Sequence, residues 1–192
     1  MRSVVVTEFI TLDGVFEDPG GSEQTEHGGW SFKFWSDESA KYKYDELFAA
    51  DALLLGRVTY EGFAAAWPAV TDESGFADRM NGLPKYVASR TLDKVDWQNS
   101  HLIEGDVVEA VSALKQEDGQ NILVGGSGEL ADSLLRADLV DELRFLVSPV
   151  VLGSGRRFFK DGSPPKVMEL AEAVTFESGV LALTYRPQRE TA

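Results

Sequence analysis

The chain has 192 residues, 43% hydrophobic and 26% charged, a balance that fits an ordinary globular domain and excludes disordered, collagen-like and low-complexity chains. A net charge of −14 repels phosphate backbones and anionic membranes, and the absence of cysteine removes disulfides, thiolate catalysis and cysteine-held metals. No apolar run nears the roughly 20 residues of a membrane helix, and Glu8 follows the opening Met1 too closely for a secretory signal, so one cytosolic domain over residues 1–192 is expected, with no nucleic acid, membrane or metal partner.

Strand-like and helix-like periodicities alternate along the chain, which predicts α/β architecture. Residues 3–10 read as a buried first strand ending in the turn Thr11-Leu12-Asp13-Gly14. Residues 15–35 show no periodicity but carry Gly20, Gly21, Gly28 and Gly29 among Val15, Phe16, Trp30, Phe32 and Phe34, which reads as a lid. Ser36-Asp37-Glu38 supplies an N-cap and an acidic first turn for a helix with Ala40, Tyr44, Leu47 and Phe48 inward. Residues 51–55 read as a strand, followed by a helix with Tyr60, Phe63, Ala64 and Trp67 on one face, ended by Pro68. Residues 71–82 read as a polar connection with at most one helical turn, and residues 85–89 and 99–103 as strands. Asp106 and Glu109 frame a capping box for a helix facing inward through Val107, Val111 and Leu114. Residues 121–124 make a strand that meets Gly125-Gly126-Ser127-Gly128 and a helix marked by Leu130, Leu134 and Leu135. Residues 143–152, 166–176 and 180–185 read as closing strands, the last two joined at Glu177-Ser178-Gly179, so the sheet is expected to be mixed, with an antiparallel C-terminal section.

Three strand ends share one chemistry. Gly125-Gly126-Ser127-Gly128 lies between a strand and a helix, where glycine lets a phosphate approach backbone N–H groups and the helix start adds positive dipole. Gly56-Arg57-Val58-Thr59 and Ser89-Arg90-Thr91 place a cation beside hydroxyls at two more such ends. Each alone reads equally as a tight turn, a helix cap or an exposed arginine. Together they point to an extended, multiply phosphorylated ligand lying across the strand C-termini. An ordinary Rossmann domain is not expected, because no acidic residue ends the strand after the glycine turn. Trp30 reads either as a cover for a flat heterocycle or as packing. His27 reads as a bystander more than a proton donor, and Gly153, Gly155, Arg156 and Arg157 as an anion site or a basic turn.

In order and spacing, Thr11-Leu12-Asp13-Gly14, LLLGRVTYE (53–61), ASRTL (88–92), ILVGGSGEL (122–130) and DELRFLVSPVVLGSGRRFF (141–159) resemble the dihydrofolate-reductase-like superfamily. More closely, the chain is similar to the family named for the reductase half of the bacterial riboflavin-biosynthesis deaminase–reductase. The resemblance covers almost the whole chain. It implies a dihydrofolate-reductase-like three-layer fold around a mixed, mostly parallel sheet, with NADPH as cofactor. Arg57 and Thr59 would then contact cofactor phosphates, and Ser89, Arg90 and Thr91 the adenosine 2′-phosphate. Gly125, Gly126, Ser127, Gly128, Glu129 and Leu130 would hold the diphosphate, while Asp13 and Trp30 would border nicotinamide and substrate, Asp13 either as a catalytic carboxylate or as the cap of its own turn. The implied reaction is hydride transfer to a C=N or C=O carbon of a small substrate. By resemblance that substrate is 5-amino-6-(5-phosphoribosylamino)uracil; a pteridine reductase, or an NADPH-binding protein without turnover, is the alternative. A homodimer is also implied, with residues 144–151 as its apolar surface. The chain departs from the riboflavin-pathway reductases in having Thr7 where they carry a first-strand lysine. No buried helix carboxylate of the dihydrofolate-reductase kind is identifiable among Asp37, Glu38 and Asp45. The zinc deaminase half, which needs paired cysteines, is missing from these residues.

Overall fold

The run Val4-Val5-Val6 and the residues after it make β1 (Val4–Thr11), buried on both faces and so suited to the middle of a sheet. The computed structural model, which describes residues 1–188, adds β2 (Ala50–Gly56), β3 (Lys85–Ala88), β4 (Ser100–Leu102), β5 (Asn121–Gly125), β6 (Glu142–Ser148), β7 (Met168–Thr175) and β8 (Leu181–Pro187). The strands lie in the order β4-β3-β2-β5-β1-β6-β8-β7. All pairings from β4 to β6 are parallel, and β8 is antiparallel to both β6 and β7. The mixed sheet and its antiparallel end are therefore as the sequence predicts.

Helices α1 (Asp37–Phe48), α2 (Arg57–Ala66) and α3 (Phe76–Gly82) cover one face. Leu47, Tyr60 and Met80 meet Val5, Leu53, Leu55, Val87 and Leu123 there. Helices α4 (Val107–Gln116) and α5 (Gly128–Arg136) cover the other, where Val111, Leu130, Ala131 and Leu134 pack on Val4, Val6, Ile10, Ile122 and Val124. Successive strand residues thus alternate between two cores in a three-layer fold, and each buried side chain contributes about 1.5–3 kcal/mol. The outer strand β7 is largely exposed, and its Glu169 and Glu172 discourage edge-to-edge pairing.

The structure corrects several boundaries. Proline 149 ends β6 at Ser148, and β7 starts at Met168 rather than 166. The stretch 71–82 contains a full helix, α3, because the Asp72 carboxylate accepts from Phe76 N at 3.1 Å and Ala77 N at 2.6 Å. The inner face of α1 is rotated: Ser39, Glu46 and Leu47 are buried while Phe48 is exposed and stacks on Tyr44. Strand β6 lies between β1 and β8 with Phe145, Leu146 and Ser148 buried, while Arg144 and Val147 are partly buried and Val151 is exposed.

Residues 15–35 are ordered rather than structureless. Leu12 N donates to Val150 O, Phe16 N to Arg156 O and Phe158 N to Gly14 O, which stitches the segment to residues 150–158. Beyond that seam the buried Asp18 carboxylate accepts from Glu23 N, Thr25 N and Thr25 Oγ1 at 2.9–3.1 Å, and a 3₁₀ helix runs over Trp30–Phe34. Among the described residues no helix is long and apolar enough to cross a membrane.

Candidate cofactor and substrate site

Strands β3, β2, β5 and β1 are neighbours, so the four junctions that the sequence singles out stand in one row along the C-terminal edge of the sheet. In parallel α/β sheets this edge is where ligands bind. The junctions after β2 and β5 are joined directly. Ser127 Oγ accepts from Gly56 N at 2.8 Å and lies 2.9 Å from Thr59 Oγ1. Ser127 reaches them from a left-handed conformation (φ 71°), strained for a serine and costing on the order of 1 kcal/mol or more.

That arrangement leaves two helix starts open. Ser127 is the N-cap of α5 and Gly56 that of α2, yet neither helix has a side-chain cap on its first-turn N–H groups. Two sets of orphan donors with positive dipole therefore meet from opposite faces of the sheet, an arrangement that favours an anion. Gly126 lets the Thr59 side chain come close to the turn: its φ is +60°, and a Cβ there would lie 2.7 Å from Thr59 Oγ1. Glycine is required at this position on both counts.

Next in the row, the Ser89 hydroxyl accepts from Thr91 N at 3.1 Å and Leu92 N at 2.9 Å, forming a tight turn that leaves Arg90 exposed. Arg57 is also exposed and pairs with Glu61 one turn on, at 2.9 Å. The carboxylate of Glu129 is exposed and pairs with Lys160, and Leu130 is buried in the α5 core, so neither side chain turns toward the junction. On the far side of the cleft the ladder between β1 and β5 stops at Thr7–Gly125, while that between β1 and β6 continues to Thr11–Ser148. From Glu8 onward β1 has a strand partner on the β6 side alone, which leaves a notch beside the glycine turn.

A family model for the RibD C-terminal domain matches residues 2–182. The chain belongs to this RibD C-terminal domain family. Among solved structures, a putative riboflavin biosynthesis protein from Shewanella sp. PV-4 superposes with a TM-score of 0.75 at 21% identity, covering 97% of this chain and 99% of that one. The diaminohydroxyphosphoribosylaminopyrimidine deaminase/5-amino-6-(5-phosphoribosylamino)uracil reductase of Thermotoga maritima gives 0.67 at 18% identity over 97% of this chain and 57% of that one. Dihydrofolate reductase from Enterococcus faecalis, complexed with NADP(H), gives 0.61 at 16% identity over 97% of both chains. The fold is therefore dihydrofolate-reductase-like.

Within this RibD-type domain Asp13 and Trp30 take the turn-tying and packing arrangements that the sequence left open as alternatives. Asp13 Oδ1 accepts from Thr11 Oγ1 at 2.7 Å and Leu152 N at 3.2 Å, and Oδ2 from Gly153 N at 2.8 Å. The Thr11 hydroxyl foremost, with these amides, holds its pKa down at about 2. A carboxylate so stabilised is a poor proton donor. Asp13 ties the first turn to residues 152–153. Arg156 and Arg157 complete the tie: Arg156 pairs with Glu17 and Glu23, and Arg157 Nε donates to Asp13 O at 3.0 Å. The basic pair is thus a clasp, not an anion site. Trp30 is buried, and its Nε1 donates to Glu17 O at 2.8 Å, so the indole packs inside the loop. His27 lines a pocket of about 110 Å³ with Val15, Thr25 and Leu152.

Two buried carboxyls escaped the sequence reading. One is Glu46 of α1, which accepts from Thr7 Oγ1 at 3.0 Å and pairs with Lys43, with Arg144 Nη1 3.7 Å away. The Lys43 ammonium also donates to Thr7 Oγ1 at 2.8 Å, so an amine reaches the first strand from α1 although the strand itself has no lysine. The heptad-like spacing of Ser39 and Glu46 was the available signal, masked because both residues are polar. The second is Glu8, a buried acid on β1 whose Oε1 meets no hydrogen-bond donor among the described residues. Burial drives its pKa up to about 8, against a partial opposing pull from Lys43.

Proposed function

We propose that this RibD-family chain is an NADPH-dependent reductase of a small heterocyclic substrate. The observation that carries the reading is the junction of Gly56, Thr59, Gly126 and Ser127, where two helix starts without side-chain caps meet at glycines that let the backbone and two hydroxyls come close. Those residues fit a diphosphate: the N–H groups of α5 and α2 would bind it, and the first-turn carboxylate of α5, Glu129, is paired with Lys160. Arg90, presented by the Ser89 turn at the next strand end, would bind the adenosine 2′-phosphate, and Arg57 a second phosphate oxygen. The open edge of β1 beside the glycine turn would take the nicotinamide carboxamide.

The reduced nicotinamide supplies the hydride, delivered to a C=N or C=O carbon of the substrate. The chain's own residues orient and enclose. The seam between residues 12–16 and 150–158 would form one wall, and the Lys43–Thr7–Glu46 group would set an ammonium and a carboxylate beneath β1 on its α1 side. That pair suits a polar, hydrogen-bonding heterocycle such as an aminopyrimidine, and with the family membership it supports a riboflavin-pathway-type substrate over a plain carbonyl compound.

Titration of the protein with NADPH and NADH tests the reading. NADPH should bind more tightly, and Arg90→Ala should weaken NADPH by roughly ten- to a hundredfold, the worth of one charge-assisted hydrogen bond, while leaving NADH unchanged. Equal weakening of both cofactors would remove Arg90 from the 2′-phosphate. Tight binding without NADPH oxidation on any aminopyrimidine or pteridine acceptor would make the chain a ligand-binding protein instead.

A further inference from the structure

We propose that Glu8 makes this chain sensitive to the redox state of its cofactor: the buried carboxyl releases its proton when a cationic, oxidised nicotinamide occupies the notch at the end of β5, and keeps it when the neutral reduced ring is there. The inference rests on the NADP(H) reading above and adds a residue with a distinct role to it.

The position of Glu8 carries the argument. It stands one residue beyond the last β1–β5 pair, Thr7–Gly125, at the start of the open strand edge. Strand alternation puts its side chain on the face of Val6 and Ile10, level with its register partner Phe145. Phe158 meets Phe145 edge-on with ring centres 5.2 Å apart, and Phe16 meets Phe158 edge-on at 5.8 Å. Phe16 in turn closes over Gly128, where a Cβ would fall 2.5 Å from its ring. The carboxyl is therefore sealed under an aromatic wall, next to the first turn of α5.

The charged groups on the surrounding elements are committed elsewhere. Arg144 of β6 points to the opposite face and pairs with Glu142. Glu17 pairs with Arg156, Arg157 donates to Asp13 O, and Glu129 of α5 pairs with Lys160. Lys43 on α1, across the sheet, is the cation whose field Glu8 feels. Where the dielectric is low, a charge acts on such a carboxyl without contact. A leucine would fill the same space without a desolvation penalty. An isolated acid here has a consequence that a leucine lacks: its proton equilibrium answers to any charge placed in the notch.

The chemistry involves no bond change in the cofactor. Binding of NADP⁺ converts the Glu8 carboxyl to carboxylate, and the proton leaves to solvent; NADPH binding leaves it in place. By linkage, raising the pH must then favour NADP⁺ over NADPH. Calorimetric titration of the intact protein at pH 7 with each cofactor, in phosphate and in Tris, counts the protons released. NADP⁺ should release most of one proton more than NADPH. Its affinity relative to NADPH should rise about tenfold for each pKa unit by which the ring lowers Glu8. Titration of the 2′-phosphate is common to both cofactors and cancels in the comparison. Glu8→Gln, a neutral isostere, should erase both differences; if that variant does not fold, the proton count on the unaltered protein decides alone. Equal proton release by both cofactors, or a difference that survives Glu8→Gln, overturns the inference while leaving the cofactor site intact. Failure of either cofactor to bind overturns the reading of the site and the inference with it.

Discussion

Replacing Glu8 by glutamine should stabilise the folded protein at neutral pH, by an amount that grows with pH over a defined window. The folded carboxyl has its pKa raised from 4.5 to about 8 because burial penalises its charged form. Below pH 4.5 folded and unfolded chains both hold the proton, and Glu8 contributes no pH dependence. Above it the unfolded chain releases its proton while the folded chain retains it, so stability falls as pH rises, until the folded carboxyl also ionises near pH 8. Each unit of separation is worth about 1.4 kcal/mol, so by pH 7 the unaltered protein has lost roughly 3 kcal/mol that a glutamine variant has not. Urea unfolding of both proteins at half-unit steps from pH 4 to 9 measures the difference, in which every other titrating group cancels. A gap that widens by about 1.4 kcal/mol per pH unit between 4.5 and 8 is expected. A gap that stays flat across that window refutes the reasoning, because Glu8 would then titrate alike in both states.

Gly126→Ala forces a side chain into a left-handed position against Thr59 Oγ1, so it should cost about 1–2 kcal/mol of stability in thermal melts and weaken NADPH at least tenfold in a fluorescence titration; unchanged affinity would move the diphosphate elsewhere. Asp13→Asn should lower the melting temperature modestly, by loosening the tie to Leu152 and Gly153, while NADPH affinity holds. Since the Asp13 pKa lies near 2, its tie should be independent of pH from 4 to 9 and lost only as pH falls toward 2. A collapse of turnover with an unchanged melting temperature would instead give the carboxylate a role on the substrate.

Local signals were legible in the sequence, and long-range ones were not. Alternating or continuous apolar runs identified the strands, and glycines at their ends identified the phosphate-competent turns, because each depends on a few adjacent residues. Ser36 and Asp106 cap their helices as read, Ser36 Oγ accepting from Ser39 N and Asp106 Oδ1 from Val108 N and Glu109 N. What joins Gly56 to Ser127 is a contact between residues 71 positions apart, and no periodicity announces it. The same holds for Asp13, whose turn geometry was evident but whose amide partners lie 139 and 140 residues away. Polar residues in buried positions were the other blind spot. Glu46 and Ser39 rotated the inner face of α1 away from its apolar stripe, and Glu8 sits in a strand that would read the same with a leucine.

The place of β1 in the sheet has a consequence for how the protein is made. Of the strands in this sheet β1 leaves a ribosome first, yet it is flanked by β5 and β6, whose residues 122–125 and 142–148 follow more than a hundred positions later. At usual synthesis rates its valines wait on the order of ten seconds for either neighbour. During that time β2 and β3 can pair with each other, but the gap between β2 and β1 stays open until β5 arrives to fill it. The nascent chain therefore carries an unpaired, strongly apolar strand through most of the synthesis of this sheet, and the high separation of its contacts predicts slow folding even after release. Exposure of that segment, rather than marginal stability of the finished fold, is where chaperone dependence and loss to aggregation would originate.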